Sequence, residues 1–284
     1  MSPDDWHLTE DLEDFLARAG DFLQSRPALH TVPLTVTEAL RTRGADAYGA
    51  DTPVFGLLER AGAVRAAFFR TPPRRLTLTP LTPEEADDLA ARLAGLGQVL
   101  PGVNADHDTA ASFAGAWRRH TGALPTLHER ERLYRLGTLT PPEPFPEGRG
   151  RVAGERDREQ LMLWHREFVT DIGGTPAGDN SSWADTRIAH ERITLWEAPD
   201  GTPVSMAGRT PMVAGQIRVT PVYTPAHLRG RGYAGAATVE VSRAALAAGA
   251  AEVLLFADLA NPTSNALYQR IGYHPIADFA VYDF

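Results

Sequence analysis

Between Thr140 and Gly150 the sequence reads TPPEPFPEGRG, four prolines and two glycines in eleven residues. No helix interior or central strand accommodates such a run, because each proline lacks an N–H and fixes φ. The chain is therefore expected to fold in two parts, residues 1–140 and 151–284, joined by a linker over 141–150. Its 284 residues suit two domains of about 150 residues each. With 43% hydrophobic and 23% charged residues, either half can bury a core, and disorder of the whole chain is excluded.

Hydrophobic spacing predicts similar element orders in the two halves. The first half has helices over Thr9–Gln24 and Thr37–Arg43, then strands over Val54–Leu58, Ala63–Phe69 and Leu76–Leu81. A helix opens at Pro83 with Thr82 as its cap. A helix over Asp108–His120 and a strand over Leu133–Leu139 follow. The second half has helices over Glu155–Ile172, with Leu161, Leu163, Trp164 and Phe168 apolar, and over Ser182–His190. Strands follow over Ile193–Glu197, Pro203–Ala207 and Gln216–Tyr223, then a helix from Arg229 to Ala247 and a strand over Glu252–Ala257. A helix over Asn261–Ile271 and a strand over Ala277–Phe284 end the chain. The pattern suggests two copies of one α/β unit.

A formal charge of −8 argues against a dedicated nucleic-acid binder. The absence of cysteine excludes disulfides, cysteine-based zinc or iron–sulfur sites and a cysteine nucleophile. No His, Asp or Glu cluster has ligand spacing, so no metal is expected. No apolar run approaches 18 residues, and the acidic N-terminal stretch is not a signal peptide. The expectation is a cytoplasmic, membrane-free monomer or homodimer.

The segment VYTPAHLRGRGYAG, Val222 to Gly235, carries most of the chemistry. A strand ends at Tyr223 and Thr224, Pro225 breaks the ladder, and Arg229, Gly230, Arg231 and Gly232 lead into an Ala-rich helix. Glycines there allow positive φ and close backbone approach, and a helix start favours an anion. Two arginines add donors suited to phosphate oxygens. No Gly-Lys-Ser/Thr follows, so this is not a Walker loop. Gly230, Gly232 and Gly235 match the dinucleotide spacing, but no acidic residue ends a following strand about twenty residues on. An ordinary Gly-rich connector is the competing reading.

The second informative segment is NPTSNALYQRIGY, Asn261 to Tyr273. Tyr268 lies two helical turns after Asn261, and a buried tyrosine hydroxyl can donate a proton to a leaving anion. A core tyrosine on an amphipathic helix is the plain alternative. Taken together, the two segments resemble the GNAT superfamily of N-acetyltransferases. The pattern Gln/Arg-x-x-Gly-x-Gly/Ala is met by Arg229, Gly230, Arg231, Gly232, Tyr233 and Ala234. The later pattern is met by Asn261, Ser264, Leu267, Tyr268, Gly272 and Tyr273. The resemblance covers roughly residues 150–284.

That resemblance implies an α/β (α+β) fold of two GNAT-like mixed-sheet units, the C-terminal one carrying the acetyl-CoA motif. It implies that the backbone at Val222, Tyr223 and Thr224 pairs with the pantetheine arm of acetyl-CoA. It implies that N–H groups from Arg229 to Gly235 hold the pyrophosphate. Asn261 and Ser264 belong to the cofactor's surroundings, and Tyr268 protonates the departing thiolate. Many relatives carry a Glu base on the strand before the pyrophosphate loop; GQIRVTPVYT has no carboxylate. Glu197, Asp258 or a histidine acting through water is the substitute, although Glu197 also reads as a solvated strand end. His165 and His190 read as helix-surface or interface residues.

The loop after Leu81 in the first half reads TPEEADDLA and sets Glu84, Glu85, Asp87 and Asp88 at a helix start, where they would repel a pyrophosphate. A degenerate copy that does not bind CoA and packs against or roofs the substrate cleft is expected; an unrelated helical cap is the alternative. The leading functional expectation is acetyl transfer from acetyl-CoA to a small-molecule amine by direct attack in a ternary complex. No Gly-x-Ser-x-Gly nucleophile signature is present. The alternatives are a protein or peptide N-acetyltransferase and a non-catalytic acyl-CoA-binding regulatory module.

Overall fold

The computed structural model describes residues 6–176 and 178–284. They form two compact units. Unit 1 takes the described residues up to Leu133 with Ala257–Asn261 and Ile276–Phe284; unit 2 takes Tyr134–Phe256 and Pro262–Pro275. Two short segments C-terminal to the expected linker thus belong to the first unit. The last of them does so because it pairs with a strand there.

Unit 1 runs β1 (Trp6–Thr9), α1 (Leu12–Gln24), α2 (Thr31–Arg43), β2 (Val54–Arg60), β3 (Ala63–Arg70), β4 (Leu76–Leu78), α3 (Pro83–Gly95), β5 (Gly102–Asp106) and α4 (His107–Thr121). β6 (Thr126–Leu136) then carries the chain into unit 2. The sheet order in unit 1 is β1-β2-β3-β4-β5-β12, where β12 is Tyr273–Asp283. β4 and β5 are parallel, Leu76↔Val103 and Thr77↔Asn104. β12 runs antiparallel to β5, from Phe279↔Asp106 to Asp283↔Gly102. Trp6, Phe68, Leu89, Phe113 and Trp117 fill the core between one sheet face and helices α3 and α4. On the other face Phe15 of α1 stacks on Phe55 at 4.9 Å, a pair worth about 1 kcal/mol beyond its burial.

Unit 2 repeats the order. It runs β7 (Arg149–Val152), α5 (Arg158–Asp171), α6 (Ser181–Ala189), β8 (Ile193–Glu197), β9 (Pro203–Arg209), β10 (Gln216–Tyr223), α7 (Tyr233–Ala247), β11 (Glu252–Asp258) and α8 (Pro262–Arg270). The strand order is β11-β10-β9-β8-β7, with only β10 and β11 parallel among the paired strands described. Leu161 and Trp164 of α5 pack with Ile188, Ile193, Leu195 and Met206.

Several elements begin elsewhere than the spacing predicts. α1 starts at Leu12 because the Asp11 carboxylate accepts from the N–H groups of Glu13 and Asp14; Thr9 is strand. α2 reaches back to Thr31 through a β-branched run of low helix propensity. Its buried Thr35 and Thr37 hydroxyls donate to the carbonyls of Thr31 and Pro33 at 2.7 and 2.8 Å, so they cost nothing unsatisfied. β5 is not visible in the sequence; GVNAD is held by neighbours from both sides. β6 starts at Thr126, seven residues early, through a charged stretch. The end of the expected linker is strand β7, pairing Arg149↔Glu197 to Val152↔Thr194. Leu163 is exposed, not part of the α5 core face.

α3 opens as expected, with a reciprocal cap. Thr82 Oγ1 accepts from the Glu85 N–H at 3.2 Å, and the Thr82 N–H donates to Glu85 Oε2 at 2.8 Å. Arg60 and Arg65 approach the same carboxylate at 3.5 Å.

Candidate functional site

The site is built from β10 outward. One edge of β10 pairs with β9, Val219↔Arg209, then Val222↔Ala207 and Tyr223↔Met206, with a bulge between. The parallel ladder to β11 runs only from Gln216↔Glu252 to Arg218↔Leu254. Beyond Arg218, that edge of β10 has no ladder partner among the described residues of unit 2. Ser205 Oγ donates to the Tyr223 carbonyl at 3.0 Å and lies 2.8 Å from Thr224 Oγ1, fixing the strand end to β9. An extended ligand with alternating amides can pair along an edge left open in this way.

The turn after β10 aims a helix N-terminus. A 3-10 turn over Ala226–Leu228 is followed by Gly230 at φ +77° and Gly232 at φ +82°. A Cβ at either would be strained, which explains glycine at both. They delay the helix: α7 begins at Tyr233, not Arg229. Gly232 is its N-cap and supplies no side-chain acceptor, and no acidic residue lies in the first turn. The opening N–H groups of Tyr233, Ala234 and Gly235 therefore keep donor capacity for an anion. α3 is the opposite case: Thr82 takes the Glu85 N–H, Pro83 has none, and Glu84 and Glu85 set negative charge at the helix start.

The two arginines differ. Arg229 Nε donates to the Thr224 carbonyl at 2.9 Å, its NH2 group bonds the Asp171 carboxylate, and the guanidinium sits 5.9 Å over the Tyr223 ring. It ties the loop to α5. Arg231 is exposed and, among the described residues, makes a single 3.4 Å contact, to the His227 carbonyl.

Tyr268 lies on α8 and is buried. α8 meets α7 where Gly235 allows it: a Cβ there would stand 3.0 Å from Leu267 Cδ1. Tyr268 packs between Tyr134 and Tyr273, ring centroids 6.5 and 6.2 Å away. The Tyr134 hydroxyl donates to Asn265 Oδ1 at 2.7 Å and accepts from Gln269. The Tyr273 hydroxyl is 2.7 Å from Ser242 Oγ, whose own proton goes to the Thr238 carbonyl. Of the three, the Tyr268 hydroxyl alone makes no hydrogen bond among the described residues. Burial pushes it up to about 12, so it stays protonated at neutral pH. Ser264 shares α8 with it; Asn261, just before the helix, belongs to unit 1.

Two carboxylates change standing. Glu197 is not a solvated strand end: it is 2% exposed, under Arg151 at 2.5 Å, Arg149 at 3.1 Å and Arg156 at 3.6 Å. The hydrogen bond from Arg151 holds it below the usual carboxylate range, which makes it a poor base. Asp157 grips Arg151 from the other side with two bonds of 2.6 and 2.7 Å. Glu167 of α5, not singled out in the sequence, accepts from the Tyr223 hydroxyl at 2.9 Å. Burial and this carboxylate push Tyr223 up to about 12. The signal was the i,i+4 pair Glu167 and Asp171 beside Trp164 and Phe168. His165 stacks on Trp183 at 3.9 Å; burial, then Arg187, lowers its pKa. His190 is exposed, and Asp258 belongs to unit 1.

No family model and no curated protein matches the sequence. Solved structures do match the fold. A GCN5-related N-acetyltransferase from Sphaerobacter thermophilus aligns over 99% of this chain and 96% of its own, with TM-score 0.66 at 19% identity. The fold is that of the GNAT acetyltransferases. A GNAT-family acetyltransferase from Colwellia psychrerythraea aligns over 99% of both chains, with TM-score 0.62 at 11% identity. A third, from Kribbella flavida, covers 77% of this chain and 86% of its own, with TM-score 0.53 at 20% identity. The likeness to GNAT structures thus extends over nearly the whole chain, beyond the second half where the sequence motifs lie. No described helix is long and apolar enough to cross a membrane.

Proposed function

We propose that unit 2 binds acetyl-CoA and transfers its acetyl group directly to the amine of a small molecule. The observation that carries this reading is the uncapped start of α7, reached through left-handed Gly230 and Gly232 just past the open end of β10. The donors present fit the group: with the Tyr223 and Thr224 carbonyls already accepting from Ser205 and Arg229, the remaining backbone groups of Val222, Tyr223 and Thr224 on the open edge would pair with the pantetheine amides. Of the stretch Arg229 to Gly235, the Arg229 N–H is held by the Ala226 carbonyl, so the open N–H groups at the start of α7, Tyr233, Ala234 and Gly235, would hold the pyrophosphate, with the exposed Arg231 side chain beside them. When bound, acetyl-CoA supplies the thioester carbonyl that the amine attacks.

The chain's own groups handle the protons. Tyr268 donates a hydrogen bond toward the sulfur as charge develops there. Complete transfer from a hydroxyl near 12 to a thiolate of ordinary pKa, about 8.5, is uphill, but the burial that raises the hydroxyl raises a buried thiol too. The strengthening hydrogen bond is then the main contribution. Glu167 attracts the cationic acceptor and takes up the proton the amine loses, in place of the strand carboxylate absent from β10. Unit 1, whose corresponding helix α3 caps itself, leaves CoA to unit 2 as a degenerate copy.

The test is thiol release from acetyl-CoA over a panel of small amines, against a peptide panel. Turnover confined to small amines and lost in Tyr268→Phe supports the proposal. Peptide turnover points to a protein acetyltransferase, and tight CoA binding without any turnover to a regulatory module.

A further inference from the structure

A cavity of about 600 Å³ lies within unit 1. Its floor is one register row of the sheet: Phe69↔Thr77, Thr77↔Asn104 and Asn104↔Val281 bring residues of β3, β4, β5 and β12 side by side. Val32 and Val36, one turn apart on α2, form an apolar wall. Glu129 and Glu131, two apart on β6, line it from the same strand face.

The charges around it are mostly spent on each other. Arg75 Nε bonds Asp283 Oδ1 at 2.6 Å, and Asp283 Oδ2 is 3.0 Å from His128 Nδ1. Arg74 bonds the Tyr48 carbonyl and lies 5.3 Å over the Tyr48 ring. Glu129 is different. It has no hydrogen bond and no ion pair among the described residues, although it is half-buried. Burial, and then the charge of Asp258, raise its pKa against the smaller opposing pull of His128 and Arg75. The Asn104 amide and the Thr77 hydroxyl also make no hydrogen bond among the described residues. Two arginines against three lining carboxylates leave the cavity with an acidic balance. An anion would meet arginines already committed; a cation would meet a half-buried carboxylate that no hydrogen bond or ion pair satisfies among the described residues.

The geometry points to a binding site in unit 1 for a small organic ammonium ion with an apolar body. Glu129 anchors the charge, Asn104 and Thr77 offer further hydrogen bonds, and Phe69, Val32, Val36 and Val281 cover the apolar part. None of the residues assigned to acetyl transfer lines this cavity, so the site does not rest on that assignment.

The experiment is calorimetry of the full chain, without CoA, with phenethylamine and with its uncharged counterpart 2-phenylethanol. The expected result is one saturable site for the amine, with the alcohol at least tenfold weaker. Glu129→Gln is expected to weaken the amine at least tenfold, because a charge-assisted bond is lost. Val36→Trp, which narrows the cavity at its apolar wall and keeps the carboxylate, is expected to weaken amine binding at least tenfold; melting curves confirm that both variants fold. Absence of amine binding overturns the proposal, as does equal affinity for amine and alcohol. Binding retained in Glu129→Gln but lost in Glu167→Gln also overturns it, by placing the amine in unit 2.

Discussion

The Tyr223 hydroxyl donates to Glu167 Oε2 at 2.9 Å, joining the last residue of β10 to helix α5. The bond sets a carboxylate beside a strand that has none of its own. Glu167→Gln should lower kcat/KM for cationic amines about 10- to 100-fold, the range of a charge-assisted hydrogen bond or a lost base. CoA affinity should stay within twofold. Steady-state thiol release and calorimetry separate the two effects; equal losses in both would remove Glu167 from the acceptor side.

Tyr268→Phe removes a hydroxyl that holds nothing in the fold. Stability should change by less than about 1 kcal/mol, while kcat falls about 10²- to 10⁴-fold. With its pKa near 12, Tyr268 remains an acid across the neutral range. The wild-type kcat profile should therefore show no alkaline loss from this group below about pH 10. A loss centred near pH 7 that disappears in Tyr268→Phe would contradict the assignment.

Thr82→Ala breaks the reciprocal cap of α3 and should cost about 1 kcal/mol in denaturant unfolding. It should leave CoA binding unchanged in affinity and in number of sites. Appearance of a second CoA site would show that the cap, not the rest of unit 1, keeps the ligand out.

Glu197→Gln leaves Arg151 with Asp157 alone. Arg149 and Arg156 are largely exposed and add little, so the loss should be about 2 kcal/mol, mostly from the Arg151 bond. Because the folded-state pKa of Glu197 is lowered, the carboxylate stabilises the fold above its unfolded-chain value. That contribution vanishes as pH falls through the lowered value. Denaturation at neutral and acid pH should show wild type and variant converging in acid.

How much of this was legible follows from where each signal lives. Thr82 before Pro83 and Glu85 is local chemistry, and it predicts the start of α3 to the residue. The apolar runs Ile193–Glu197 and Gln216–Tyr223 likewise appear where expected. The glycines at 230 and 232 announce a turn, but their left-handed geometry ends in a helix four residues later than the Ala-rich run suggests. β5 and the first half of β6 have weak intrinsic patterns; partners far along the chain make them strands. Arg229 reads as a phosphate ligand in the motif, and only the fold shows its guanidinium bonded to Asp171, 58 residues away. Glu167 was hidden for the same reason: its meaning depends on Tyr223, on a strand 56 residues distant.

The central claim is that the open start of α7 is where CoA binds. Calorimetric titration of the full chain with CoA tests it, with Gly232→Asp as the comparison. Aspartate there would cap the helix and set a negative charge against the pyrophosphate. The account predicts one site per chain in the wild type and at least a 100-fold loss in Gly232→Asp with the melting temperature preserved within a few degrees. No binding, two equal sites, or unchanged affinity in the variant would contradict it.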